Sequence, residues 1–264
     1  MREGRATAAA TLSSAETLMA GGAPGVPLYR AVKRLLTGAL AAGEWRPGTA
    51  LPAERLMAQR FHVAVGTLRK AVDELVQESL LVRHQGRGTF VAIHGHDRFR
   101  FKFFHIASRD GQREFPDVEL LAFRKGRADA LDAAALQIAP GAVVFRVRNQ
   151  LSLRGAPASV DDVTIAQARF PGLTERVFRD RPGTIYQLYQ ATFGVTVVSA
   201  AERLRAVRAE GEIARRLGVE VGAPLLQVRR IALTYVDGPV ELRVSAVNTM
   251  DNEYVTDVGS MEGR

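Results

Sequence analysis

The sequence predicts a two-domain α+β protein, with a small helical unit at the N-terminus and a larger unit built on an antiparallel sheet. Three observations carry this. Apolar residues recur at helical spacing in three consecutive stretches between Leu28 and Val76. Two short apolar runs, Leu80-Leu81-Val82 and Thr89-Phe90-Val91, flank Arg83-His84-Gln85-Gly86-Arg87-Gly88, which is a hairpin with a glycine-rich tip. Beyond Ile93 the pattern changes to mostly strands with a few short helices, placing a domain boundary there.

Composition sets the limits. The chain has 264 residues, 47% of them hydrophobic and 24% charged, which suits a globular protein with a sizeable core. No apolar run is long enough for a membrane helix, and the N-terminus lacks the pattern of a secretory signal, so a cytoplasmic location is expected. The absence of cysteine excludes disulfides, zinc-thiolate sites and thiol catalysis. The net charge is +8, and its distribution is uneven. Residues 26–92 carry ten Arg or Lys against five Asp or Glu, whereas residues 93–264 carry 24 against 21. Nucleic acid or an anionic membrane is the usual partner of so basic a chain.

Residues 1–25, ending in Gly21-Gly22-Ala23-Pro24-Gly25, read as a flexible tail with a short helix around Ser14 to Ala20. The first helix of the basic segment has Leu28, Val32, Leu35, Leu36 and Leu40 on one side and stops near Gly43. After the turn Arg46-Pro47-Gly48, Pro52 opens a second helix, Ala53 to Arg60. A third runs from about Val65 to Glu78, with Leu68, Val72, Leu75 and Val76 as its stripe. Three helices followed by a hairpin form a winged helix-turn-helix, whose third helix enters the major groove. Thr67, Arg69 and Lys70 lie on the polar side of that helix near its start, and Val65 can meet a thymine methyl. Arg55 lies early in the second helix, within reach of the DNA backbone. At the hairpin tip, Gln85, Gly86, Arg87 and Gly88 let the main chain approach DNA and carry a cation to it.

These residues resemble a known family. Pro27-Leu28-Tyr29, Gly43-Glu44-Trp45-Arg46-Pro47-Gly48, Leu51-Pro52-Ala53-Glu54-Arg55, Thr67-Leu68-Arg69-Lys70-Ala71 and Gly86-Arg87-Gly88-Thr89-Phe90-Val91 stand in the order and spacing of the DNA-binding domain of GntR regulators, over residues 26–92. The resemblance implies DNA-contacting roles for Arg55, Thr67, Arg69 and Gly86. Ala64-Val65-Gly66 departs from the polar or Arg residues that many members carry there.

Residues 93–114 read as a linker, with a strand at Phe99 to Ile106. The rest, 115–258, reads as an effector-binding and dimerisation domain, followed by a tail at 259–264. Strands are expected at Glu119 to Lys125, Val143 to Ser152, Ala158 to Ile165, Val197 to Arg208, Leu225 to Val236 and Pro239 to Asn248. Helices are expected at Ala128 to Leu136, Phe170 to Phe178, Ile185 to Phe193 and Glu210 to Leu217. Leu131 and Pro140-Gly141 before Val144-Phe145-Arg146-Val147-Arg148, then Gly155-Ala156-Pro157, Phe170-Pro171-Gly172-Leu173, Ile185-Tyr186, Phe193-Gly194, Gly222-Ala223-Pro224-Leu225 and Gly238-Pro239-Val240-Glu241, resemble the UTRA ligand-sensing domain. That resemblance implies a chorismate-lyase-like α+β fold.

Arg146 and Arg148 are two apart in a predicted strand and so share a face, where two guanidiniums can hold a carboxylate or phosphate. The UTRA resemblance implies that such a basic pair lines the effector site, opposed by acidic or aromatic residues, here Asp161, Glu241 and Tyr254. The reading is therefore a homodimeric, ligand-responsive transcription factor, a repressor by resemblance, that binds an inverted-repeat operator and is released by a small anion. Two rivals stand beside it. One is a DNA-binding regulator whose C-terminal domain only dimerises. The other is an enzyme on a chorismate-lyase-like fold, against which stands a C-terminal domain without His or Cys. His94, His96 and His105 could suggest a metal site, but they lack a supporting carboxylate set. No phosphate-binding loop is present, and no cofactor is expected.

Overall fold

The computed structural model describes residues 27–93, 102–235 and 238–256. The expected tails, the short helix around Ser14 to Ala20, His94, His96 and the start of the strand expected at Phe99 to Ile106 lie outside these residues. Contacts divide the chain into two compact units, Met1–Ala92 and Ile93–Arg264.

In the first unit, α1 (Leu28–Ala41) buries Val32, Leu36 and Leu40, one side chain per turn of a single stripe. The short α2 (Glu54–Arg60) buries Met57 and Ala58, and α3 (Val65–Gln77) buries Leu68, Ala71, Val72 and Leu75. Each large side chain so buried contributes about 1.5–3 kcal/mol. The unit is therefore held by its helical stripes. Strands β1 (Leu81–His84) and β2 (Gly88–Val91) pair antiparallel from Leu81↔Val91 to His84↔Gly88. The segment before α2 extends this ribbon, because Gly48 donates to the Val91 carbonyl and Leu51 to the Thr89 carbonyl. Gly86 (φ +71°) and Gly88 (φ +104°) turn the tip through backbone conformations that side chains disfavour.

The second unit is a six-stranded antiparallel sheet in the order β4-β5-β6-β9-β8-β7, with helices on both faces. Its strands are β4 (Asp117–Arg127), β5 (Val143–Leu153), β6 (Ala156–Ala166), β7 (Ser199–Arg208), β8 (Pro224–Leu233) and β9 (Pro239–Val247). On one face, α5 (Glu175–Arg179) and α6 (Ile185–Phe193) cover Phe145, Val147, Val163 and Ile165 with Phe178, Ile185, Leu188 and Tyr189. On the other, α4 (Ala130–Leu136) packs on Val144 and Leu242, and α7 (Gly211–Leu217) on Val160 and Leu225. Polar caps set the helix starts. Asp129 and Asp132 form a capping box on α4, while the Thr174 and Thr184 hydroxyls accept from the third residue beyond.

Two elements differ from expectation. The helix expected at Phe170 to Phe178 is shortened: a 3-10 turn, Gln167–Arg169, lies ahead of it, and α5 starts only at Glu175, after Pro171-Gly172, where Gly172 has φ +82°. A second sheet, β3 (Ile106–Ser108) with β10 (Asn252–Tyr254), was not anticipated. Its strands are three residues long, too short to show alternation. The segment read as a linker is thus partly structural from Lys102 onward. Ile106 is buried, and the Phe103 ring meets Tyr186 edge-on at 5.1 Å.

Candidate functional site

In the first unit the sequence-predicted residues are exposed together with their neighbours. Arg55, Val65, Arg69 and Lys70 are open to solvent, as is the whole tip Gln85-Gly86-Arg87-Gly88, while Thr67 is half-buried. The start of α3 has no side-chain cap and no acid in its first turn. Its first amides and the positive end of the helix dipole are thereby left for an anion. Arg69 is oriented by Glu54 of α2, to which its Nε donates at 2.9 Å; Glu54 also accepts from Arg83 at 3.2 Å. Lys70 rests its ammonium 4.3 Å from the centroid of the Tyr29 ring. The carboxylate that organises them, Glu54, carries no signal of this in the sequence; from the start of α2 it aims two arginines, Arg69 of α3 and Arg83 of β1.

In the second unit the sheet face under α6 holds an unusual row. Register places Val147, Val163, Arg243, Arg230 and Glu202 side by side across five strands. The neighbouring row contains Asn149, Asp161 and Ser245. A cavity of about 520 Å³ opens above them, within the range of small-molecule sites. Its lining includes Arg179, Arg181, Arg230 and Arg243 against one acidic residue among the described residues, Asp117; Arg179 is paired with Glu175 of its own helix. Asn149, Tyr186, Phe103 and Phe104 complete the parts that matter here. A smaller adjoining cavity is lined by Asp161, Ser159, Ser245, His105 and Tyr254 and shares Arg230 and Arg243.

The floor is a buried charge network. Arg243 donates from Nε to Glu241 Oε1 at 2.9 Å and from Nη1 to Asp161 Oδ2 at 3.1 Å. Glu241, wholly buried, also accepts from the hydroxyls of Tyr189 at 2.8 Å and Tyr186 at 3.2 Å. Burial opposes the charge on Arg243, but Glu241, Tyr186 and Asp161 more than offset it and hold the guanidinium well above its ordinary range. Burial pushes Tyr186 up to about 12, so it remains a hydroxyl that can donate. Arg230 donates from Nε to Glu202, which also accepts from the Tyr254 hydroxyl. Burial pushes Glu202 up, yet Arg230 and the Tyr254 hydroxyl bring it below its ordinary value. Arg181 lies over the Phe178 ring, and burial together with the nearby Arg243 charge lowers it.

The predicted effector residues divide. Asp161 and Tyr254 line the smaller cavity, and Glu241 anchors Arg243 beneath both. Arg146 and Arg148 share one face as expected, but it is the opposite face, which carries α4 and α7. There Arg146 pairs with Asp132 of α4, and Arg148 holds Asp162 bidentately at 2.7 and 2.9 Å and Glu212 of α7 at 3.1 Å. This corrects the expected pocket. Alternation told that the two arginines act together but not which face is covered by which helices. The cavity cations that were missed, Arg230 and Arg243, stand in β8 and β9 on the face of buried apolar residues, and that placement is their signal. The His105 ring packs at a tilt of 46° against Tyr254, with 5.2 Å between ring centroids.

The family model described as bacterial regulatory proteins, gntR family, matches residues 28–91, and that of the UTRA domain matches residues 111–250. A relative is the mannosyl-D-glycerate transport/metabolism system repressor MngR of Escherichia coli, 28% identical, with 86% of this chain and 94% of that one aligned. Another is the histidine utilization repressor of Klebsiella aerogenes, 28% identical, covering 77% of this chain and 83% of the relative. Among solved structures, the second unit is similar to the ligand-binding domain of a chain assigned to the GntR-family transcriptional regulators in Bordetella bronchiseptica. The two are 38% identical with a TM-score of 0.57, covering 61% of this chain and 99% of that one.

Proposed function

Since this chain belongs to the GntR family of bacterial regulatory proteins and carries a UTRA domain, we propose that it is an operator-binding repressor released by a small organic anion held in the cavity of its second unit. The observation that carries the ligand part is the cavity lining itself: four arginines around about 520 Å³, against one acidic residue among the described residues. Two of them, Arg230 and Arg243, are buried and held by carboxylates beneath, so their remaining donors are fixed before a ligand arrives. Preorganised bidentate donors suit a carboxylate or phosphate. An acid also fits the systems for which the relatives are named, mannosyl-D-glycerate transport/metabolism and histidine utilization, since both compounds carry a carboxylate.

The DNA-binding part rests on α3 and the hairpin tip. Arg69, Lys70, Thr67 and Val65 reach base edges and phosphates from the major groove; Arg55, Gln85, Gly86, Arg87 and Gly88 grip the backbone beside it. Two copies bind as a homodimer on an inverted repeat in the cytoplasm. Release requires that the ligand favour one arrangement of the two DNA-binding units, and Phe103 and Phe104 connect cavity to chain path. They line the cavity and lie early in the second unit, which begins at Ile93.

The test measures operator binding by fluorescence anisotropy while small acids are titrated, with Arg243→Met as control. The wild type should be released by at least one acid, and the variant should bind operator without release. Release of both alike would place the ligand elsewhere. A constitutive binder that no acid in a broad panel releases would favour a purely dimerising second unit.

A further inference from the structure

Two polar groups on the cavity wall lack the partners that burial demands. Asn149 is 1% exposed, yet neither its Oδ1 nor its Nδ2 has a hydrogen-bond partner. The buried Nε of Arg181 has none either, although the same guanidinium donates from Nη1 to the Phe178 carbonyl at 2.5 Å and lies 4.6 Å from the Phe178 ring centroid. Buried polar groups are almost always satisfied, and leaving one unmade costs far more than making it gains. Here both orphans border one cavity. The neighbours of Asn149 do not satisfy it. Asp161, directly across on β6, is already taken by Ser159 and Arg243, and Arg243 by Asp161 and Glu241.

From this, and resting on the reading of the cavity as an effector site, we infer that the ligand is an acid with a second, uncharged group that both donates and accepts hydrogen bonds, read by Asn149. Arg181, beside Arg243, takes the anion. Asn149 presents one carbonyl acceptor and one amide donor, so its complement is a group with both, such as a carboxamide, an imidazole or a vicinal diol. A plain carboxylate or inorganic phosphate satisfies the arginines and leaves Asn149 orphaned. A hydrocarbon end placed there leaves it orphaned and excludes water as well. Specificity against such molecules is then large, because a site built to hydrogen-bond a group rejects the analogue lacking it.

The experiment uses the full chain and two isosteric probes: 4-carbamoylbutanoate, which ends in a carboxamide, and 5-methylhexanoate, which ends in an isopropyl group. Calorimetry compares them on the wild type and on Asn149→Leu, the matching isostere on the protein side, with Asn149→Ala as a second variant should the first fold poorly. The wild type should prefer the carboxamide by about tenfold or more, and both variants should lose that preference. Asn149→Leu should also melt at or above the wild type without ligand, because an unsatisfied amide has been removed. Equal binding of the two probes to the wild type, binding of neither, or a preference that survives both variants overturns the inference. Arg181→Met separates this from the cavity reading. If the wild type binds both probes alike and this variant binds neither, the cavity remains an acid site and only the role of Asn149 fails. If the probes bind undiminished to it, both readings fail.

Discussion

Replacing Glu241 by Gln tests the network that holds the cavity floor. The substitution keeps shape and removes one charge from a wholly buried position. Glu241 accepts three bonds, from Arg243 at 2.9 Å, Tyr189 at 2.8 Å and Tyr186 at 3.2 Å. The new amide NH₂ must face one of these donors, leaving it unsatisfied at a cost of about 1–3 kcal/mol. The two remaining bonds become neutral instead of charge-assisted and lose about 1 kcal/mol each. The sum, about 3–5 kcal/mol, agrees with the cost of about 3–5 kcal/mol for breaking a buried ion pair by removing one partner. Asp161 still neutralises Arg243 in part, so no more than the middle of that range is expected. For a unit of this size, about 4 kcal/mol lowers the melting temperature by about 8–16 °C. Scanning calorimetry of the full chain at neutral pH measures it. Arg243→Met and the double variant complete a cycle that should show coupling above about 1 kcal/mol. A Glu241→Gln protein that melts within about 2 °C of the parent would refute the network as the support of the floor.

Four further outcomes follow from the geometry of the two units. Glu202 is held below its ordinary value of 4.5 by Arg230 and the Tyr254 hydroxyl against the opposing effect of burial. Its contribution to stability is therefore full above that pH and lost as pH falls through the lower folded value, so Glu202→Gln should flatten the acid limb of a stability–pH curve. Arg69→Ala should cost about 1–3 kcal/mol of specific operator binding, measured by anisotropy. With about six neutralised phosphates the log–log salt slope should be roughly −5, and Arg87→Ala should reduce its magnitude by about 1 on all sequences. Arg146→Ala with Arg148→Ala should leave ligand release intact while lowering stability by about 1–2 kcal/mol, since these arginines secure α4 and α7; loss of release would return them to the ligand.

The sequence alone determined the two-unit architecture, three helices and a hairpin ahead of an antiparallel sheet. Helical stripes such as Leu68, Val72 and Leu75 are local patterns whose period dictates which side is buried, and Gly86 and Gly88 mark a turn that only such residues make readily. It also determined that Arg146 and Arg148 act on one side of a strand. What it left open was which side, because alternation separates two faces without naming what covers either. Only the tertiary structure decided that. Pairing β5 with β6, and β9 with β8, brought Asn149, Arg243 and Arg230, up to 94 residues apart in sequence, onto the face covered by α6. Glu241 became the buried counter-ion of Arg243 because Tyr186 and Tyr189, two successive contacts on α6, close over it. A charged residue in a strand pattern reads as solvent-facing until a partner is known. That partner is supplied by register and helix packing, which are properties of the whole fold.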